Sequence, residues 1–206
     1  MDSVDRIKNN SLLPSEKLSL EHTIKLARKR DLRNSLMIEC CYRTGFRASE
    51  ILSLTPKSLV TIVDELDDGT RVEAKAIKVL TLKRNKRKRD EATGQLIDIK
   101  KPKKVYRTVI VSDEFYDRLL EYSLGLNTND ALFPISYDRM RQIWELYTPH
   151  PRITLHGLRH TYAKTHYRKS KDLQAIKDDL GHSNIQSTMV YAVVETPLMD
   201  RKRYVV

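Results

Sequence analysis

The chain has 206 residues, 40% of them hydrophobic, and a formal net charge of +11 at pH 7. That length suits one domain with at most a short appendage, and the apolar share excludes disorder throughout. No run approaches the roughly 20 apolar residues of a membrane span, MDSVDRIKNNSLLP lacks the order of a secretory signal, and two cysteines are too few for a disulfide framework. An intracellular, cytoplasmic location is expected, with Cys40 and Cys41 packed as small buried hydrophobes.

In chain order, residues 1–14 show no clear period and read as a linker or tail. Ser19 to Arg28 has Leu20 and Ile24 at helical spacing behind a Ser–Leu–Glu–His start. DLRNSLMIECCYRTGF reads as a buried helix: Asp31 caps it, Leu32, Leu36 and Cys40 repeat at i, i+4, i+8, and Gly45 stops it. RASEILSLTP is a short second helix ended by Pro56. Leu59–Val63, Ala76–Leu82 and, most strongly, Val105–Val111 are β-prone. They predict a small antiparallel sheet with a long loop between two strands, turning near Gly94. Helical patterns return in DEFYDRLLEYSLG, YDRMRQIWELY, GLRHTYAKTHYRK and DLQAIKDDLG. The expected fold class is mainly α with a small antiparallel β-sheet.

Charge is concentrated in that long loop. Between Arg71 and Arg107 stand 14 Lys/Arg and four Asp/Glu, a surplus of +10 out of the chain's +11. A solvated charge run is the ordinary explanation of such a stretch. A run holding nearly all the net charge and broken by strand-like pieces fits better a basic arm, about 71–111, lying on a polyanion, with nucleic acid the leading partner. Lys83, Arg84, Lys86, Arg87, Lys88, Arg89, Lys103 and Lys104 are its candidate contacts.

Four small patterns carry polar groups suited to chemistry. Arg47 and Glu50 lie three apart in TGFRASEIL, by itself an ordinary surface pair. His156, Arg159 and His160 share one helical face in TLHGLRHTYA. A metal there is disfavoured, because the glutamate of a zincin is missing and a cationic arginine stands between the imidazoles. Gly181 ends a helix before His182, and Tyr191 follows nine residues later. Any one of ten tyrosines taken alone is a packing residue first.

Together these patterns resemble the tyrosine recombinase (phage-type integrase) family over residues 15–195. Its first arginine motif, TG-x-R-x-S-E, is matched by Thr44, Gly45, Arg47, Ser49 and Glu50. Its H-x-L-R-H-T is matched by His156, Leu158, Arg159, His160 and Thr161, and its L-G-H with a tyrosine nine residues on by Leu180, Gly181, His182 and Tyr191. The resemblance implies site-specific DNA recombination through a 3′-phosphotyrosyl intermediate, with Tyr191 as nucleophile. Arg47 and Arg159 then suit the charge that builds on the phosphate, since guanidinium is always charged and offers a planar fork of donors. His182 adds a donor, His156 is the implied general base, Glu50 orients the site, and His160 is a packing or hydrogen-bonding residue.

The resemblance also implies a lysine acid for the leaving 5′-oxygen. KKPKKVYRTVIVS points to Lys101, although Pro102 stands where the family has threonine; Lys83 and Lys103 are the alternatives. No cofactor is expected, because the tyrosyl–phosphate bond conserves the energy of the broken one. A homotetramer on DNA is implied, with residues 196–206 as a tail that could dock on a neighbour. Too few residues precede the match for the family's N-terminal helical domain, so a fragment or a short member is expected, binding DNA weakly by itself. The long basic insert favours integration or excision of a mobile element over chromosome-dimer resolution. Type IB topoisomerase-like relaxation and a non-catalytic DNA-binding module of the same fold are the alternatives.

Overall fold

The computed structural model describes residues 3–81, 87–98 and 105–195. Its elements run α1 (Ser3–Asn9), α2 (Pro14–Ala27), α3 (Leu32–Thr44), α4 (Ala48–Ile51), β1 (Leu59–Glu65), β2 (Arg71–Thr81), β3 (Arg87–Arg89), β4 (Leu96–Asp98), β5 (Val105–Ile110), α5 (Asp113–Ser123), α6 (Tyr137–Tyr147), α7 (Leu155–Ser170), α8 (Leu173–Leu180) and α9 (Gln186–Glu195). The expected class, mainly helical with a small antiparallel sheet, is the one observed.

Helix α3 forms where its pattern places it. The Asp31 side chain accepts from the Asn34 amide (3.1 Å), and Gly45 closes the helix in the left-handed region (φ 63°). Gly45 is required twice over, since a Cβ there would sit 2.6 Å from the Tyr162 ring. Leu36, Met37, Ile38 and Cys40 are fully buried, so α3 is a central helix, and it packs on α7. Burial pushes the Cys41 thiol up to about 12 and raises Cys40 as well, which fits inert packing residues. Glu39, also on α3, is enclosed by Arg28 (3.1 Å), Arg43 (2.7 Å) and Arg118 (2.6 Å).

The three-stranded sheet has the order β1-β2-β5, antiparallel throughout, with Leu59 opposite Ile77 and Val79 opposite Arg107. Ile77, Val79 and Thr81 turn inward at the period of two a strand demands, and Lys78 turns outward. The arm between β2 and β5 contains a second ladder: β3 pairs with β4, so Arg87, Lys88 and Arg89 stand opposite Asp98, Ile97 and Leu96. Its turn is built by Asp90, whose carboxylate accepts the amides of Ala92 and Thr93 (both 2.9 Å), and by Gly94 at φ 67°.

Two expectations need correction. The N-terminal residues, read as a linker or tail over 1–14, form α1 from Ser3, with Ile7, Ser11 and Leu12 buried. Helix α2 starts at Pro14 rather than near Ser19, because proline suits the first helical position and the Glu16 carboxylate accepts the Leu13 amide (2.7 Å). Both errors have one cause. The segment's partners lie about 150 residues away, so no local period announces them. Leu12 N–H donates to Thr161 Oγ1 (2.8 Å), Lys164 to Ser11 Oγ (3.0 Å), and Arg152 to Glu16 (2.6 Å) and to the carbonyls of Asn9 (2.7 Å) and Ser11 (3.1 Å). The Asn10 amide accepts from Thr154 N–H (2.8 Å) and donates to Thr154 Oγ1 (2.9 Å), closing on the first turn of α7. Gly157 admits it: a Cβ there would lie 2.4 Å from Asn10 Oδ1. The same α1 packs against α9, so this N-terminal strap touches both helices that border the site described next. No helix among the described residues is long and apolar enough to cross a membrane.

Candidate active site

Four segments of the chain meet at the C-terminal ends of α3 and α8. Arg47 immediately precedes α4, His156, Arg159 and His160 occupy the first half of α7, His182 follows α8, and Tyr191 lies on α9, an element the sequence pattern had not revealed.

Arg159 is the buried centre of this arrangement, only 2% exposed. Its guanidinium donates to the Gly45 carbonyl (2.8 Å) and the Leu180 carbonyl (2.6 Å). Both carbonyls lie at helix C-termini, where unpaired oxygens and the negative end of the helix dipole favour a cation. Burial and then Arg47 pull its pKa down, but guanidinium held by two such acceptors stays charged at neutral pH.

Glu50 is fully buried and gathers two arginines. Its carboxylate accepts from Arg107 Nη2 (2.6 Å) and Nη1 (3.0 Å), from Arg47 Nη1 (3.1 Å) and from the Arg47 amide (2.8 Å). Burial works against its charge, yet the Arg107 bond and charge, the Arg47 amide and the Arg47 charge outweigh it and hold the carboxyl below the usual range. Arg107, absent from the residues picked out by motif, also donates to the Asp179 carbonyl (2.7 Å) and Thr81 Oγ1 (3.0 Å) and lies 4.8 Å over the Phe46 ring. One signal could have found it: Arg107 and Val109 share the inward face of β5, and an inward arginine on a strand requires a buried acceptor. Arg47 itself keeps 34% of its side chain exposed and borders the open side.

The histidines differ in setting. His182 Nδ1 meets Thr188 Oγ1 (2.9 Å), and burial followed by Arg159, Arg47, Arg107 and His156 lowers its pKa to about 3. His160 is buried against Tyr191, with Nδ1 3.0 Å from the phenolic oxygen, and is lowered to about 3 by burial and then by His156, Arg159, His182 and Lys164. His156 keeps an exposed face, with its ring edge-on to His160 at 4.7 Å. Partial desolvation, then Arg159 and Arg47, hold it below its usual range. All three imidazoles are therefore neutral at pH 7. Tyr191 is 2% exposed, and burial pushes its phenol up to about 12 against the opposing charges of Arg159 and Arg47. These mutual influences place Arg47, Arg159, the three histidines and Tyr191 in one electrostatic neighbourhood. Such a site can hold an anion against fixed cations while presenting a neutral phenol and neutral imidazoles to it.

An open cleft of about 280 Å³ runs from His182 and Gly181 past Arg107 and Thr81 to Val105 and Tyr106, the side from which the arm departs. The lysine candidates Lys101, Lys83 and Lys103, and the basic residues Arg84, Lys86 and Lys104, lie outside the described residues. Among the described residues no group of three or more His, Cys, Asp or Glu side chains is arranged to hold a metal ion.

A helical domain with a small antiparallel sheet carries a tyrosine set among arginines and histidines from separate parts of the chain. The chain belongs to the Phage integrase family, whose sequence profile matches residues 11–196. Tyrosine recombinase XerD of Oceanobacillus iheyensis is 28% identical over 184 residues, covering 83% of this chain and 53% of that protein. The chain thus spans about half the length of the curated relatives it matches. Among solved structures, the XerH site-specific recombinase bound to its difH substrate superposes with a TM-score of 0.60 at 20% identity, over 95% of this chain and 53% of that one. The catalytic domain of bacteriophage HP1 integrase superposes with a TM-score of 0.55 at 21% identity, over 95% and 94% of the two chains. Both likenesses concern the fold.

Proposed function

We propose that this chain catalyses site-specific recombination of double-stranded DNA by breaking and rejoining strands through Tyr191. The observation that carries the reading is the convergence of Arg47, Arg159, His182 and Tyr191 on one site, from segments separated by up to 144 positions. The phenolic oxygen attacks a backbone phosphorus, a 3′-phosphotyrosyl bond forms and the 5′-oxygen leaves; a DNA 5′-hydroxyl reverses the step. Charge on the non-bridging oxygens meets Arg47 and Arg159, whose geometry is fixed beforehand by Glu50 and by the two helix-end carbonyls. His182, neutral and accepting the Thr188 hydroxyl at Nδ1, donates its single N–H from Nε2, and His156, exposed beside the arginines, serves the same phosphate. A lysine of the basic arm protonates the leaving oxygen, with Lys101 preferred over Lys83 and Lys103.

The arm extends from the cleft beside His182, which supports a path for the DNA backbone along Arg87, Lys88 and Arg89 and the neighbouring lysines. Integration or excision of a mobile element is the role we assign, supported by the 23 residues between β2 and β5. Chromosome resolution of the Xer kind is the second reading, favoured by sequence similarity to XerD. Assembly as a homotetramer on DNA, with residues 196–206 docking on a neighbour, belongs to the same proposal.

The test uses a nicked, end-labelled duplex taken from a random-sequence pool by selection on this protein. A slower, protease-sensitive band on a denaturing gel is expected from the parent protein and not from Tyr191→Phe. Binding without any such band in the parent would refute catalysis by this chain.

A further inference from the structure

The Tyr191 hydroxyl has a hydrogen-bonding partner within the protein. Tyr191 is almost fully buried, and its hydroxyl lies 3.0 Å from Nδ1 of His160, which is itself buried. The two rings are tilted at 52° with centroids 5.9 Å apart, so the contact runs from hydroxyl to ring nitrogen rather than from face to face. Among the described residues this is the hydrogen bond Tyr191 makes through its oxygen; His156, four positions earlier on α7, instead sets its ring edge-on to His160.

We propose that His160 is the residue that holds the Tyr191 hydroxyl for attack and receives its proton as the oxygen bonds to phosphorus. This deepens the reading of Tyr191 as nucleophile and rests on it. It also divides the two histidines of one helical face: His160 acts on the nucleophile and His156 on the phosphate.

The division follows from surroundings. His160 is neutral, because burial and the nearby His156, Arg159, His182 and Lys164 oppose its protonation. An imidazole with a free Nδ1 lone pair accepts the phenolic O–H, and so fixes where the oxygen's own lone pairs point. At rest the proton stays on oxygen, since the buried phenol holds it far more tightly than this imidazole does. Once the oxygen bonds to phosphorus, its proton becomes strongly acidic, and negative charge builds on the phosphoryl oxygens beside the imidazole. In that step the Oη–P bond forms, the P–O5′ bond breaks, the phenolic proton passes to His160 Nδ1, and O5′ takes a proton from a cationic acid of the basic arm. Rejoining returns the proton from His160 to the tyrosine oxygen. The resemblance implied His156 for this duty, but its ring is exposed and stands edge-on to His160, whereas the Tyr191 oxygen meets His160 Nδ1.

The test compares the full chain carrying His160→Ala and His160→Asn, since an asparagine oxygen can stand close to the position of Nδ1. Two measurements are made: the rate of covalent complex formation on the nicked duplex, with the DNA concentration at half-maximal rate, and the 19F signal of 3-fluorotyrosine placed at 191. Alanine is expected to slow complex formation by about 100-fold or more without changing half-saturation, as loss of a positioned proton acceptor does. It should also move the fluorine signal toward its position in unfolded protein, and asparagine should restore the fluorine signal but not the rate, because its amide oxygen accepts a hydrogen bond and cannot take the proton. The proposal is overturned if His160→Ala forms the complex at the parental rate while Tyr191→Phe forms none. It is overturned too if the fluorine signal is indifferent to residue 160. A covalent complex that persists in Tyr191→Phe would sink the nucleophile assignment itself, a distinct failure.

Discussion

Replacing Glu50 by glutamine removes one charge from the centre of the site and changes little in shape. Glu50 is fully enclosed, and its partner Arg107 is only 7% exposed, so neither charge is well served by water. Glutamine keeps an acceptor for the Arg47 amide but leaves the Arg107 guanidinium buried beside a neutral group. Breaking a buried pair by removing one partner costs about 3–5 kcal/mol, and the retained hydrogen bonds place this case near 3. The half-exposed Arg47 adds little to that figure, because solvent screens it. For a chain of this size the cost lowers Tm by roughly 6–12 °C. The pH dependence has a definite sign. The carboxyl is held below its ordinary value of 4.5 in the folded state, so its stabilisation is fully present above that value and fades as pH falls through the lowered one. Urea unfolding of parent and Glu50→Gln at pH 7 and pH 3 reads both effects, and the gap between the two proteins should narrow in acid. A cost below about 1 kcal/mol at pH 7, or a gap of equal size at both pH values, would refute the assignment of Glu50 as the counter-charge of this cluster.

Gly45→Ala should cost more than about 2 kcal/mol, from left-handed strain and from overpacking against the Tyr162 ring; thermal unfolding checks it, and a neutral result would mean the close approach at 2.6 Å is wrong. Replacing Arg87, Lys88 and Arg89 together by alanine should weaken DNA binding and reduce the slope of log K against log salt by roughly 2–3, measured by fluorescence anisotropy between 50 and 200 mM salt. An unchanged slope would remove that hairpin from the DNA path.

The fold class and the motif residues were legible because each is encoded within a few positions. The Asp31 cap and the Gly45 stop fix α3, the alternation of β2 and β5 fixes the sheet, and Arg47, Glu50, His156, Arg159, His182 and Tyr191 stand in short patterns. What escaped depends on contacts between distant segments. Arg107 matters because of Glu50, 57 positions away, and α1 is ordered because Asn10 reaches Thr154, 144 positions away. His160 was ranked behind His156 although both lie on one helical face. Which of them meets the tyrosine is decided by how α9 docks, and no spacing on α7 contains that information.

Arg159 has a further consequence for how such a site is studied. The two carbonyls it grips belong to the ends of α3 and α8, so one side chain closes a three-way joint between those helices and α7. A replacement there removes a positive charge from the site and at the same time unfastens the joint. Loss of activity at position 159 is therefore ambiguous evidence about chemistry, whereas Arg47, held at the open border, reports on charge with far less disturbance to the frame. The same coupling runs the other way: the ends of α3 and α8 meet α7 through that guanidinium, so the position of this cation is set by folding itself.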